Sequence, residues 1–151
     1  MGFLDKLLGT KKAESAPANP TPAAQQTTDK KILIVEDDTY LRDFYAELIT
    51  SEGYHVVTAV NGFDGFNQVL AQKPDLVLTD LMMPIMDGKM MLHKIRETKE
   101  FATLPVIVLT NAGSSDNMKE TKFYNNANDF LIKSNVQPEE IIAKIKMLAP
   151  K

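Results

Sequence analysis

The sequence predicts an α/β domain, a doubly wound five-stranded parallel sheet with helices on both faces. Two features of the 151-residue chain lead there. Short aliphatic or β-branched runs recur five times after residue 30, and each is followed by apolar residues at helical spacing. The runs are also continuous rather than alternating, as suits strands buried on both faces. Right-handed crossovers leave few topologies for five such units, and the doubly wound sheet is the simplest.

Ile32-Leu33-Ile34-Val35 is the first strand. Leu41, Phe44, Tyr45 and Leu48 follow at helical spacing until Gly53 stops the helix. His55–Ala59 reads as a second strand, and Phe63, Phe66 and Leu70 mark a second helix that ends before Pro74. Leu76-Val77-Leu78 is a third strand, Met91, Leu92 and Ile95 define a third helix, and Pro105–Leu109 is a fourth strand. Residues 115–125 predict a weakly amphipathic fourth helix, and Phe130-Leu131-Ile132 a fifth strand. Ile141, Ile142, Ile145 and Leu148 form the inner stripe of a last helix. Pro138 suits its first turn, and Glu139 and Glu140 favour its dipole.

Ahead of this regular part, residues 1–9 place Phe3, Leu4, Leu7 and Leu8 on one face of a two-turn amphipathic segment. That face suits docking on a partner or a membrane surface, or loose packing on the domain itself. Residues 10–29 are rich in Ala, Pro, Thr and Gln and predict a disordered linker, because they bury too little to offset ordering entropy. The expected folded domain is therefore 30–149. The absence of cysteine excludes disulfides and thiolate metal sites. A net charge of -3 offers no basic face, so no direct nucleic-acid binding is expected. With no signal peptide and no apolar run of about 18 residues, the expected location is cytoplasmic.

Ligands of such sheets bind at the carboxyl ends of the strands. The first strand ends in Glu36-Asp37-Asp38, the third in Thr79-Asp80, the fourth in Thr110-Asn111 and the fifth in Lys133-Ser134. Carboxylates gathered there repel one another unless a cation sits among them. Oxygen ligands without His or Cys point to magnesium (Mg2+). A magnesium ion and a lysine beside one aspartate suit phosphoryl transfer, in which positioning and charge stabilisation supply most of the catalysis. Asp38 is read as the N-cap of the first helix rather than a ligand.

The segments 32–38, Pro74 to Gly88 (with Thr79-Asp80-Leu81-Met82-Met83-Pro84), Leu104 to Thr110 and Asn128 to Lys133 closely resemble the receiver domain of two-component response regulators. The resemblance covers about residues 30–149 and implies a flavodoxin-like strand order, 2-1-3-4-5. It further implies that Asp80 is the phosphoacceptor and that Glu36 and Asp37 form the acidic pocket with the backbone carbonyl of Met82 as a further metal ligand. Thr110 would bond a phosphoryl oxygen, Lys133 would pair with the phosphate, and Phe130 would occupy an aromatic switch position. The implied partners are a histidine kinase or histidine phosphotransfer protein and a downstream protein. The expected switch surface is built from the fourth helix, fifth strand and last helix, with a phosphorylation-dependent homodimer as one possible output. Read as a stand-alone regulator, the chain is a signalling phosphoacceptor rather than an enzyme.

Three departures from the family pattern carry expectations. Ser134 replaces the usual proline, so a trans Lys133–Ser134 peptide and a reshaped loop are expected. Asn126 replaces a glycine but tolerates the same backbone region. Met82 and Ala112, two residues past Asp80 and Thr110, cannot orient a water, which implies an acyl phosphate lasting minutes or longer. Rival readings are weaker. A phosphatase of the haloacid dehalogenase type needs an acid where Met82 stands, a flavin protein needs a phosphate loop where Glu36-Asp37-Asp38 stands, and a phosphorylation-independent adaptor would not need the full set of site residues.

Overall fold

The computed structural model describes residues 28–111 and 126–151. The segment 1–9, nearly all of the linker 10–29, the fourth helix expected at 115–125 and Ala112 lie outside the described residues. In chain order the elements are β1 (Lys31–Val35), α1 (Thr39–Ser51), β2 (His55–Ala59), α2 (Gly62–Gln72), β3 (Leu76–Thr79), α3 (Gly88–Glu97), a 3-10 turn (Lys99–Phe101), β4 (Val106–Thr110), β5 (Asp129–Ile132) and α4 (Pro138–Leu148). All five strands are parallel, in the order β2-β1-β3-β4-β5. The expected doubly wound sheet is the one observed.

Alternation along the central strands sends neighbouring side chains to opposite faces. Ile32, Ile34, Leu76, Leu78, Ile107 and Leu109 pack with Tyr45 and Ile49 of α1 and Ile141, Ile142 and Ile145 of α4. Leu33, Val35, Val77, Val106 and Val108 pack on the other side with Val69 of α2 and Met91, Leu92 and Ile95 of α3. Each fully buried aliphatic of these two layers stabilises the fold by about 1.5–3 kcal/mol. The phenol of Tyr54 ties the C-terminus to the first layer by donating to the Ala149 carbonyl at 3.0 Å.

Asp38 is the N-cap of α1, its Oδ1 accepting from the Leu41 amide at 2.9 Å. The inner face of α1 is centred on Tyr45 and Ile49, with Leu41 and Leu48 partly buried and Phe44 turned outward.

The stripe expected for the second helix is displaced by one residue. Phe63 and Leu70 are exposed (56% and 44%), whereas Gly62, Gly65 and Val69 are buried. The physical reason is close approach: a Cβ on Gly65 would lie 2.9 Å from Val35 Cγ2 and 2.6 Å from Met91 Sδ. The helix faces the core through Gly62, Gly65 and Val69, and the two glycines leave no hydrophobic signal in the sequence.

Candidate functional site

Three strand ends converge on one edge of the sheet because their ladders run one residue further. Glu36 N donates to Ala59 O (3.1 Å), Asp80 N to Val35 O (3.1 Å) and Lys133 N to Thr110 O (3.0 Å). Glu36 continues the alternation of Ile32 and Ile34, Asp80 that of Leu76 and Leu78, and Lys133 that of Leu131. All three side chains thus turn to the side covered by α1 and α4. There Lys133 Nζ lies 2.6 Å from Glu36 Oε2 and 2.9 Å from Asp80 Oδ2, with all three groups nearly buried.

Asp37 completes the acidic group from the solvent side. Glu36, Asp37 and Asp80 each offer a carboxylate oxygen, and these lie within 4.8 Å of one another; Glu36 is buried and Asp37 exposed. Three carboxylates against the single ammonium of Lys133 leave two formal negative charges. An all-oxygen donor set of that charge, open to solvent at Asp37, fits a hard divalent cation such as magnesium.

Burial pushes the Glu36 carboxyl above the usual carboxylate range; the bond and charge of Lys133 oppose this, and the charge of Asp80 adds to it. For Lys133, burial alone would lower the pKa, but its hydrogen bonds to Asp80 and Glu36 and their charges outweigh burial and raise it. The ammonium is therefore held firmly in its charged form.

The loop after β3 fixes the Asp80 carboxylate. Oδ1 accepts from the Leu81 amide at 2.7 Å and, more distantly, from the Met82 amide at 3.4 Å. The Thr79 hydroxyl donates to the Asp80 carbonyl at 2.9 Å. Met82 itself is 69% exposed. Further along, Ile85 adopts φ 70° across a tight turn in which Met86 N donates to Pro84 O (2.8 Å). That is a strained conformation for a β-branched residue.

The loop closes on α3, where Gly88 N donates to Leu81 O at 2.8 Å and Asp87 caps the helix. A Cβ on Gly88 would collide with the carbonyl oxygen of Asp80. Gly88→Ala is expected to lower stability by about 1–3 kcal/mol, measured as a reduced urea midpoint with unchanged m value.

Thr110 and Phe130 belong to the opposite face. Val108 pairs with Phe130 in the β4–β5 register, and Thr110, two residues on, shares that face. Thr110 is fully buried, and Phe130 is half-buried against the second core layer. Thr110 also reaches the acidic side through its backbone, since its carbonyl accepts from the Lys133 amide. The Lys133–Ser134 peptide is trans, and the chain turns into α4 through Asn135 and Val136 amides that both donate to Ile132 O at 3.0 Å. Asn126 presents its carbonyl to Arg96 Nε at 2.8 Å.

Arg42 is a neighbour of the site that sequence reasoning missed. Its Nη1 donates to the carbonyls of Glu36 (2.9 Å) and Asp37 (3.4 Å), clamping the acidic loop from α1. The available signal was its place in the first helical turns after the acidic run, and one arginine on an exposed helix carries little information by itself.

Comparison with known proteins adds the family. A family model described as the response regulator receiver domain matches residues 32–146. The chain is 36% identical over 114 residues to the hybrid signal transduction histidine kinase D of Dictyostelium discoideum, covering 76% of this chain and 7% of that protein. It is 33% identical over 118 residues to the DNA-binding dual master transcriptional regulator RpaA of Synechocystis, covering 78% of this chain and 48% of that protein. This chain thus spans at most about half the length of either relative. Among solved structures, a CheY-like receiver domain protein from Methanospirillum hungatei matches with TM-score 0.70 at 30% identity, covering 80% of this chain and 93% of that one. The chemotaxis response regulator CheY4 of Vibrio cholerae matches with TM-score 0.71 at 25% identity, covering 80% and 99%. Among the described residues, no helix is long and apolar enough to cross a membrane.

Proposed function

This chain belongs to the response regulator receiver family of two-component signalling, and we propose that within it Asp80 accepts a phosphoryl group from a phosphohistidine donor or a small acyl phosphate. The observation that carries this reading is the Lys133 ammonium held between Glu36 and Asp80 beside a third carboxylate, Asp37. Glu36, Asp37, Asp80 and the Met82 carbonyl would hold a magnesium ion. When bound, that ion supplies positive charge to the phosphoryl oxygens and offsets repulsion among the carboxylates.

In the proposed reaction a carboxylate oxygen of Asp80 attacks phosphorus as the bond from phosphorus to the donor breaks, and a departing imidazole takes up a proton. The Leu81 amide orients the carboxylate through Oδ1. Lys133 turns its ammonium onto a phosphoryl oxygen, and the Thr110 hydroxyl bonds another. Arg42 keeps the Glu36 and Asp37 carbonyls in place throughout. Thr110 and Phe130, which share a sheet face, would relay the change toward the surface near β5 and α4, shifting a two-state equilibrium that a downstream partner reads.

Chelation tests the role of the metal. With EDTA present, labelling of the protein by acetyl phosphate should fall about 100-fold or more, and excess Mg2+ should restore it. Undiminished labelling would remove magnesium from the account. The lifetime of the product is a separate expectation. Exposed Met82 offers no hydrogen bond to steer a water toward the acyl phosphate. Label on Asp80, chased with unlabelled donor, should therefore decay over minutes or longer; loss within seconds would contradict this.

A further inference from the structure

A cavity of about 380 Å³ opens between α1 and α4, and none of the acidic-edge residues lines it. Leu48 from α1 and Pro138, Ile142 and Ala143 from α4 give it apolar walls. Leu48 is only partly buried and Ala143 is exposed, so solvent reaches the space between the two helices. The rim is acidic on balance. Glu52 pairs with Lys146 at 2.9 Å, and Glu139 has no ion pair among the described residues.

The chain ahead of the described residues supplies a matching occupant. The described structure begins at Thr28, whose amide donates to Gly53 O at 2.9 Å. Gly53 directly follows Glu52, so the chain enters the domain beside one end of the cavity. A flexible chain the length of residues 10–27 has a root-mean-square span of about 21–25 Å. From that anchor, residues 1–9 meet the cavity at an effective concentration on the order of millimolar. An apolar face too small to hold a membrane firmly is sufficient for a contact within the chain at that concentration. Phe3, Leu4, Leu7 and Leu8 match the walls in chemistry, and residues 1–12 carry Lys6, Lys11 and Lys12 against Asp5 alone, opposite in sign to the rim.

We propose that residues 3–8 dock in this cavity as a short amphipathic helix, with Phe3, Leu4, Leu7 and Leu8 against the apolar walls and the neighbouring lysines toward Glu139. The contact covers part of α4 and leaves the acidic edge open. No step of it involves Asp80, so it stands or falls apart from the phosphoacceptor reading.

Because the chain has no cysteine, one introduced cysteine carries a nitroxide label alone. In the full isotope-labelled chain, a label at Glu140→Cys, exposed on α4, should weaken the amide signals of residues 3–8 about threefold or more, since the docked form prevails at that effective concentration. A label at Asn67→Cys, exposed on α2 at the other face of the sheet and one turn after Phe63, should leave most of that intensity. Leu4→Ser with Leu7→Ser in the segment, and Ala143→Arg in the cavity, should each restore the signals in the Glu140→Cys chain. Ala143 is exposed, so its replacement leaves the core intact. Equal weakening from both labels, weakening that neither substitution relieves, or no weakening from the Glu140→Cys label overturns the inference. So does the same weakening in a mixture of nitroxide-bearing chain with separate isotope-labelled chain, which gives the cavity to a second copy. Binding of wild type to phosphatidylglycerol vesicles, in place of any effect of the Glu140→Cys label, gives the segment to a membrane and overturns it too.

Discussion

Asp80→Asn is expected to abolish phosphoryl uptake from acetyl phosphate in the presence of Mg2+ while leaving the protein folded. An amide oxygen lacks the charge that makes the carboxylate a nucleophile toward phosphorus. The replacement keeps an oxygen able to accept from the Leu81 amide, which fixes Oδ1 now. It also removes one of the two carboxylates that share Lys133. Because the Asp80 charge contributes to the raised Glu36 pKa, that pKa should move down. The Lys133 pKa should fall too, since the hydrogen bond to Asp80 is the largest of the effects that raise it. With repulsion relieved and one ion pair lost, the net change in stability should stay within about 1 kcal/mol. Full labelling of the variant would move the acceptor to another carboxylate, Asp37 being the exposed candidate.

The second large effect is expected from Lys133→Met. The substitution leaves Glu36 and Asp80 side by side at the sheet edge with no ammonium between them. Breaking a buried pair from one side costs about 3–5 kcal/mol, a large share of the roughly 5–15 kcal/mol that a domain of this size has. Added Mg2+ should recover part of the loss by binding the folded state. Labelling should also slow by about 100- to 1,000-fold, the usual consequence of losing a preorganised charge at the reacting group. The pH dependence carries a definite sign. The Lys133 pKa is raised in the folded protein, so its stabilisation is fully present below the unfolded value of about 10.4 and is lost as pH rises through the folded value. Urea midpoints of wild type and variant should therefore differ widely at neutral pH and converge in strong alkali. A constant difference across that range would show that the variant acts by altered packing rather than lost charge.

The strands were legible in the sequence because a strand buried on both faces leaves a continuous aliphatic run, and their ends were legible because Glu36, Asp80 and Lys133 each follow such a run directly. Period-two alternation then puts these side chains on one side of the sheet; the ladders set Glu36 and Asp80 level, and Lys133 lies two residues beyond the level of Asp80 on β5. The inner face of α2 was not legible. Its contacts are made through Gly62 and Gly65, whose lack of a side chain is the reason for the close approach, while the visible apolar pattern of Phe63, Phe66 and Leu70 is turned partly to solvent. Arg42 was hidden for a related reason: its bonds to the Glu36 and Asp37 carbonyls arise from the placement of α1 on the sheet, and local spacing does not encode them. The boundary of β4 at Thr110 rather than Leu109 follows from pairing with Ile132, a long-range partner.

Relatives that share the domain include a histidine kinase and a DNA-binding regulator, each much longer than the matched region. The matched domain thus occurs in proteins of different kinds, and the chemistry proposed for this chain concerns its acidic edge. That chemistry is a covalent bond from phosphorus to one particular carboxylate, and it is open to direct chemical trapping. Protein incubated with acetyl phosphate and Mg2+, reduced with borohydride and digested, should yield a peptide with homoserine in place of Asp80, and none when the phosphate donor is omitted. Homoserine at another acidic residue, or none at all despite the donor and the metal, would contradict the account.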